Sequence, residues 1–241
     1  MTLPRTPPPA DSGALSVVIA ARNEAMRLPA LLAQLASAPE LVREVLVVDG
    51  GSRDATVLAA RLAGAQVLRT QPGRGQQLGL GASLASAPWL LLLHADVRLP
   101  AGWAARLTRA IQHSPARGCA YYFELAIEGG PAVLRLVEGG VRLRSRWWQQ
   151  PYGDQGLLLP LALYGAVGGM GPLPLMEDLD LVLRLGRQVR LRSLGLALRV
   201  DGRRWRRRGV WRTTWTNLQL RRAWRRGASA EHLAQRYYAD R

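Results

Sequence analysis

Short, almost wholly apolar runs recur through the first hundred residues, and each is followed by a segment with helical spacing. Runs of this length, rich in Val, Ile and Leu, are typical of strands that are buried on both faces. Strands that alternate with helices predict βαβ units and a mostly parallel sheet. The predicted strands are residues 15–20, 44–48, 65–68 and 89–93, and the predicted helices are residues 28–35, 52–64, 76–87 and 100–113.

Two aspartates stand just past the ends of strands in this predicted sheet. Asp49 follows the second strand and precedes two glycines, and Asp96 closes the triplet that follows the fourth strand. Ligands of such sheets bind beyond the carboxyl ends of the strands, so the topology brings Asp49, Asp96 and residues 20–24 to one edge. An aspartate before glycine is also a common turn residue, and this alternative for Asp49 stays open.

His94 and Asp96 point the same way if the fourth strand continues through them. Together they could hold a divalent cation against a diphosphate, which would neutralise charge on a departing phosphate. Mg²⁺ prefers oxygen ligands and so favours Asp96, whereas imidazole suits Mn²⁺ better. A histidine and an aspartate at a solvated strand end are the alternative.

Two further segments could serve a phosphorylated substrate. Arg74 lies in a Gly-rich loop before a helix, where a guanidinium and backbone N–H groups suit phosphate. Glu177, Asp178 and Asp180 open a later helix, where one carboxylate could deprotonate an attacking hydroxyl. Acidic residues in a first helical turn also favour the helix dipole, and this alternative stays open.

The second half of the chain has a weaker pattern. Residues 156–176 are uncharged and long enough to span a bilayer, but prolines and glycines interrupt them. This composition favours a buried strand, a short helix and a loop. The other predicted elements are strands at 119–127, 189–191 and 196–200 and helices at 131–148 and 177–186.

All 33 basic residues are Arg, the net charge is +16, and much of the excess lies in residues 184–226. Trp211, Trp215 and Leu218 fall on one face of a helix there. Arg with interleaved Trp suits stacked bases and phosphates, and equally an anionic lipid interface. A solvated basic face whose Trp residues pack on the domain is the third alternative.

The length of 241 residues suits one domain with a small appendage. We predict a disordered, Pro-rich tail over 1–13, a domain over 14–202, and a basic Trp/Arg-rich helical extension over 203–241. The tail lacks the apolar core of a signal peptide. Cys119 is the single cysteine, which excludes an intrachain disulfide and favours a reducing compartment.

The order and spacing of five segments resemble glycosyltransferase family 2. The match is nearest to a bacterial subgroup of short proteins, the radical-SAM/selenodomain-associated transferases, and runs from about residue 15 to about residue 185. The resemblance implies a GT-A fold, which is an α/β domain with a mostly parallel central sheet flanked by helices. It also implies transfer from a nucleotide-diphosphate sugar with inversion at the anomeric carbon. The segments are 16–24 (SVVIAARNE), 47–56 (VVDGGSRDAT), 73–77 (GRGQQ), 93–96 (LHAD) and 177–180 (EDLD).

The resemblance further implies roles for single residues. Asp178 would be the catalytic base, with Glu177 beside it, and Asp96 would be the metal-binding acid of a D-x-D-type motif. His94 replaces the first acid of that motif and would be the second metal ligand, which leaves the metal open between Mg²⁺ and Mn²⁺. The residues that would border the nucleotide are Ala20, Arg22, Glu24, Asp49, Arg74 and Asp96. Apart from the resemblance, Asp154 and Gln155 lie in a polar turn before an apolar strand, and they are acceptor-site candidates, with a simple turn as the open alternative.

The expected partners are a nucleotide-diphosphate sugar donor and an acceptor, which in this family is often lipid-linked. We therefore expect a cytoplasmic protein with peripheral contact to the anionic inner face of the plasma membrane, and not a nucleic-acid-binding protein. A nucleotidyltransferase on a related fold is the alternative enzyme. The chain lacks the early Gly-rich loop with Lys that such an enzyme would place after its first strand.

Overall fold

The computed structural model describes residues 13–115 and 118–239, so the predicted tail over 1–13 lies outside the described residues except for Gly13. The strands of this part of the chain are β1 (Leu15–Ala21), β2 (Val42–Asp49), β3 (Gln66–Arg69), β4 (Trp89–His94), β5 (Val97–Arg98), β6 (Ala120–Glu128), β7 (Leu157–Pro160) and β8 (Leu191–Asp201). The helices are α1 (Leu28–Ala36), α2 (Thr56–Leu62), α3 (Arg74–Leu84), α4 (Trp103–Gln112), α5 (Leu134–Trp147), α6 (Leu161–Ala166), α7 (Glu177–Gly186), α8 (Arg203–Arg208), α9 (Val210–Arg225) and α10 (Ala230–Ala239), and a 3-10 turn covers Gly153–Gln155.

The strands form one sheet in the order β3-β2-β1-β4-β7-β6-β8-β5. The four strands of the first hundred residues that were predicted from their apolar runs are mutually parallel, with β1 between β2 and β4. The strand β6 is also parallel to β8. The prediction of an α/β fold with a mostly parallel sheet is therefore confirmed.

Strand direction reverses at β7. The sequence predicted a strand here but not its direction. This strand is antiparallel to both β4 and β6, and Leu157 at its start pairs with Leu92 near the end of β4. The 3-10 turn that precedes β7 therefore lies beyond the carboxyl end of β4. A parallel β7 would have placed this turn at the opposite edge of the sheet.

Helices cover both faces of the sheet. Side chains of a strand alternate between its two faces, and β1 shows the consequence. Val17 and Ile19 pack with α1, α2 and α4 in one apolar cluster, whereas Val18 and Ala20 pack with α3, α6 and α7 in another. This double coverage explains why the strands are apolar throughout.

The observed strands differ from the predicted ones in two places. Residues 189–191 and 196–200 were expected as separate strands, but they belong to the single strand β8. Gly195 has a φ of +70° between them, and the register against β6 shifts at that point, so the apolar pattern is broken while the strand continues. The strand β5 was missed because two residues carry no periodicity.

Residues 156–176 form the strand β7, the short helix α6 and a loop, as predicted. No helix within residues 13–115 or 118–239 is both long and apolar enough to cross a bilayer. Cys119 is buried directly before β6.

The basic segment that follows β8 folds into α8 and α9, and α10, which lies within the helical extension predicted over 203–241, packs against α9. Leu220 of α9 and Leu233 of α10 are buried in a third apolar cluster with Leu175 and Leu179. Trp211 and Trp215 are exposed by 68% and 57%. The alternative in which the Trp residues of this segment pack on the domain is therefore wrong for these two.

Gly81 of α3 is required for close packing of this helix on the sheet. A Cβ atom there would overlap the Val18 side chain and lie 3.0 Å from Val48 Cγ2. We expect Gly81→Ala to destabilise the protein by about 1–3 kcal/mol, because overpacking outweighs the gain in helix propensity. Urea unfolding measures the effect. Gly79→Ala on the same helix, where the nearest atom lies at 3.5 Å, is the control and should be neutral or slightly stabilising.

Candidate active site

The parallel register aligns the ends of three strands. Ala20 of β1 lies between Val48 of β2 and His94 of β4, and Ala21 pairs with Asp49. The carboxyl ends of neighbouring strands thus carry the residues predicted to meet at one edge. Ala20 is nearly buried and Arg22, just beyond the strand, is exposed.

Gln77 closes this edge from the side of α3. Its Nε2 donates to the carbonyls of Ala21, at 2.8 Å, and Val48, at 2.7 Å. The side chain is buried and joins the end of β1 to that of β2. The sequence analysis missed this role, although Gln77 belongs to the Gly-Arg-Gly-Gln-Gln segment on which the resemblance depended.

Asp49 is 2% exposed at the end of β2. Its carboxylate accepts hydrogen bonds from the backbone N–H groups of Gly51 and Ser52, each at 3.2 Å. The turn-capping alternative for Asp49 is therefore observed. Turn capping is compatible with the predicted nucleotide contact, because each carboxylate oxygen has two lone pairs.

Asp178 and His94 face each other across Gly153. Gly153 N donates to Asp178 Oδ2 at 2.8 Å. A Cβ atom built on Gly153 would lie 3.0 Å from His94 Nε2 and 3.2 Å from Asp178 Oδ2. The turn before β7, the end of β4 and the start of α7 therefore converge at one place. Only the antiparallel pairing of β7 makes this possible.

His94 is held in its neutral form. Burial, followed by the positive charge of Arg74, lowers its pKa to about 4, against the opposing effects of Asp96 and Asp178. A neutral imidazole keeps a lone pair for a cation or a hydrogen bond. Both predicted functional carboxylates, Asp96 and Asp178, therefore act on His94 electrostatically.

Glu177 lies beside Asp178 but is enclosed. It is 1% exposed, and its Oε1 accepts from Arg74 Nε at 2.9 Å. Glu177 Oε2 has no hydrogen-bond partner among the described residues. Burial raises the pKa of this carboxyl against the opposing charge of Arg74. The pair joins α3 to α7, and Gly75 permits the approach because a Cβ there would lie 2.5 Å from the Gly171 carbonyl oxygen.

Met176, the residue before α7, has an unusual backbone conformation. Met176 adopts a φ of +65°, a conformation that is rare and strained for a bulky side chain. It directly precedes Glu177 and Asp178. Asp180, in the same first turn, pairs with Arg184 at 2.6 Å instead.

Asp154 and Gln155, the two acceptor-site candidates, differ in their surroundings. Gln155 is fully buried, and its Oε1 accepts from Ser145 Oγ at 2.9 Å while its Nε2 donates to the Phe123 carbonyl at 3.0 Å. This side chain therefore holds the turn in place. Asp154 Oδ1 is enclosed without a hydrogen-bond partner among the described residues, and burial raises the pKa of its carboxyl.

Arg203 joins two of the predicted nucleotide-site acids. Its Nη2 lies 2.5 Å from Glu24 Oε1 and 3.4 Å from Asp96 Oδ2. The Glu24 side chain raises the pKa of the guanidinium further by accepting a hydrogen bond. The sequence analysis assigned Arg203 only to the basic tail, because nothing in the local pattern shows that the first turn of α8 reaches β1 and β4.

An apolar cavity lies behind the carboxylates. His94, Gly153, Glu177 and Asp178 form its polar side. The other lining residues are Leu78, Leu92, Pro151, Tyr152, Leu157, Met170, Leu181 and Val182. The arrangement gives a low-dielectric environment in which an ionisable group and its proton are shielded from water.

This fold and site define a glycosyltransferase of the GT-A type. The sequence model of Glycosyl transferase family 2 matches residues 16–151, and the chain belongs to this family. The matched segment includes Asp49, His94 and Asp96 but ends before Asp154, Glu177 and Asp178.

A curated relative is the 4,4'-diaponeurosporenoate glycosyltransferase of Staphylococcus haemolyticus, which is 39% identical over 93 residues. The matched segment is 35% of this chain and 24% of that protein, so the chain spans about a quarter of the length of this relative.

Solved structures share the fold. Glucosyl-3-phosphoglycerate synthase of Mycobacterium tuberculosis, solved with Mn²⁺, UDP and glucosyl-3-phosphoglycerate, aligns with a TM-score of 0.55 at 20% identity. The alignment covers 76% of this chain and 71% of that one. S. aureus TarS, residues 1–349, aligns with a TM-score of 0.61 at 16% identity over 78% and 60% of the respective chains.

The buried carboxyl of Glu177 makes stability depend on pH. Its folded-state pKa lies above the ordinary value of 4.5, so its contribution to stability is complete below pH 4.5 and is lost as the pH rises through the folded-state pKa. Glu177→Gln keeps an oxygen for Arg74 but cannot ionise. We expect this variant to gain stability relative to the wild type as the pH rises from 4.5 towards neutrality, which urea unfolding across that range measures. A stability difference that does not change with pH would contradict the assignment.

Proposed function

We propose that the protein transfers a sugar, with inversion, from a nucleotide-diphosphate donor to an acceptor hydroxyl. The observation that carries this proposal is the convergence of Asp178, His94 and Gly153 at the edge where β1 and β2 also end. Asp178 takes the hydroxyl proton as the acceptor oxygen bonds to the anomeric carbon. The bond from that carbon to the diphosphate oxygen breaks on the opposite side, and the nucleoside diphosphate leaves with the electron pair.

The donor is proposed to bind along the ends of β1 and β2. The residues that would border the nucleotide are Ala20, Arg22 and Glu24. The Asp49 carboxylate would accept hydrogen bonds from the base or from the ribose hydroxyls, through lone pairs that its turn does not use. Arg74 is proposed to lie near the phosphates. Its ion pair with Glu177 at 2.9 Å supports this proposal, because Glu177 directly precedes the proposed base.

A divalent metal fits this site only as part of a complex with the donor. Within residues 13–115 and 118–239, no three His, Cys, Asp or Glu side chains converge to hold a metal. Mg²⁺ is commonly held by one or two carboxylates together with substrate phosphates, and Asp96 with neutral His94 matches that smaller set. Mg²⁺ or Mn²⁺ bound there would neutralise charge on the leaving diphosphate.

The acceptor is proposed to approach past the turn at Gly153–Gln155. Asp154 is the residue of this turn with an unused carboxylate oxygen, and Gln155 positions the turn. A lipid-linked acceptor, a cytoplasmic location and peripheral contact with an anionic membrane belong to this proposal. So does membership of the radical-SAM/selenodomain-associated subgroup.

The assignment of the base predicts the behaviour of Asp178→Asn. The amide cannot take a proton, so we expect the turnover rate to fall by about 10²–10⁴-fold. Donor affinity should be unchanged, since Asp178 acts on the acceptor. Release of nucleoside diphosphate measures turnover, and thermal shift with a panel of UDP-, GDP- and dTDP-sugars measures donor binding.

Asp180→Asn is the matched control for this experiment. It removes a carboxylate from the same helical turn but outside the cavity, where Asp180 pairs with Arg184. Wild-type turnover by Asp178→Asn would refute the base assignment. Release of pyrophosphate by the wild-type protein would instead identify a nucleotidyltransferase.

The metal assignment predicts that EDTA stops turnover and that added Mn²⁺ restores it. Asp96→Asn should weaken Mn²⁺ binding in the presence of UDP, because it removes the carboxylate ligand. Electron paramagnetic resonance of free Mn²⁺ reads this affinity without reference to activity. Turnover at the wild-type rate in EDTA would show that the arginines alone neutralise the leaving group, contrary to the proposal.

A further inference from the structure

The outer face of α5 combines exposed apolar and basic side chains in two rows. Leu136, Leu143 and Trp147 are exposed by 69%, 49% and 75%, and their spacing of seven and four residues places them along one line of the helix. Trp148, which follows the helix, is exposed by 62%. Exposed apolar side chains aligned along one helix face mark a candidate interaction surface.

An arginine row runs beside the apolar row. Arg135, Arg142 and Arg146 each precede one of these apolar residues by one position, and all three are exposed. Arg135 pairs with Glu138 and Arg142 pairs with Glu124, so the row is partly compensated.

An open cleft adds positive charge at the carboxyl end of α5. It lies beside Trp147 and is lined by Arg146, Arg187 and Arg190, and no acidic side chain among the described residues lines it. Three arginines of this cleft therefore lie beside Trp147, at the end of the apolar row.

We infer that α5 and this cleft seat the protein on the surface of an anionic phospholipid bilayer. A helix with Leu and Trp on one side and Arg beside them is suited to the boundary between headgroups and acyl chains. The apolar row would enter that boundary, and the cleft arginines would meet lipid phosphates. A second copy of this chain is disfavoured by the net charge of +16, and aliphatic Leu136 and Leu143 offer nothing for bases to stack on.

The position of α5 relates this surface to the active site. Pro151, Tyr152 and Gly153 follow the helix within a few residues and line the cavity. Arg144 of α5 stacks on the Tyr152 ring at 3.5 Å, and Gly153 N donates to Asp178. Membrane contact through α5 would bring the acceptor side of the cavity close to the bilayer. This last step, unlike the surface itself, rests on the proposed function.

Co-sedimentation of the full-length protein with vesicles tests the inference. The vesicles contain either phosphatidylcholine alone or phosphatidylcholine with phosphatidylglycerol. The wild type should bind the anionic vesicles, and Leu143→Ser/Trp147→Ser should bind them at least about tenfold more weakly, since it removes apolar surface that enters the lipid. Arg146→Gln/Arg187→Gln should lose the preference for anionic vesicles.

Trp211→Ser/Trp215→Ser on α9 is the matched control, because it removes two exposed tryptophans from the basic tail instead. It should bind as the wild type does. The inference is overturned if the α5 double variant binds normally, if only the α9 variant loses binding, or if the wild type binds neither vesicle. A wild-type dimer that the α5 variant dissociates would also overturn it, by making this face a contact between copies.

Donor binding separates the two proposals. The α5 variants should keep the thermal shift with nucleotide sugars, and Asp178→Asn should keep vesicle binding. Vesicle binding without any donor binding would leave the surface established and refute the proposed function. Donor binding and transfer to a soluble acceptor without vesicle binding would support the proposed function and refute the membrane surface.

Discussion

The reversal of strand direction between β4 and β7 is the constraint on which the site depends. Because Leu157 pairs with Leu92, the chain enters β7 at the same edge where β4 ends. The turn at Gly153–Gln155 is therefore brought against His94, and Gly153 donates to Asp178 from that position. Gln155 stabilises the turn from within the core through Ser145 and Phe123. The proposed nucleotide-binding edge, made by parallel strands, is thus completed by residues from the other half of the chain.

Two arginines organise the charges around this edge. Arg74 pairs with buried Glu177 and lowers the pKa of His94, while Arg203 joins Glu24 to Asp96. Each connects elements far apart in the chain, α3 to α7 and α8 to β1 and β4. Paired in this way, the carboxylates can lie near one another without the full cost of mutual repulsion and burial. The same guanidinium groups present positive charge where a diphosphate would lie.

The first half of the fold was predictable because its signals are local. Runs such as residues 15–20 and 89–93 are apolar throughout, and each is bounded by turn or helix signals, so strand identity and parallel order followed. The second half lacks that alternation. Gly195 interrupts the apolar pattern of β8 there with a left-handed conformation. In the first half, only the two-residue β5 was missed, because it exists through its pairing with β8. The face of α10 that is buried likewise depends on another part of the chain, the surface around Leu175 and Leu179.

For the site, the sequence by itself determined which chemical groups stand at strand and helix ends: Asp49 and His94 at the ends of strands, Asp96 just beyond one, and Glu177 and Asp178 at the start of a helix. Those positions follow from hydrophobic periodicity, which is a property of neighbouring residues. Only the tertiary structure decided that Asp178 and His94 both lie beside Gly153, that Gln155 is buried, and that Arg203 reaches Glu24. Such meetings depend on strand direction and on packing between distant segments, and local periodicity carries no information about either.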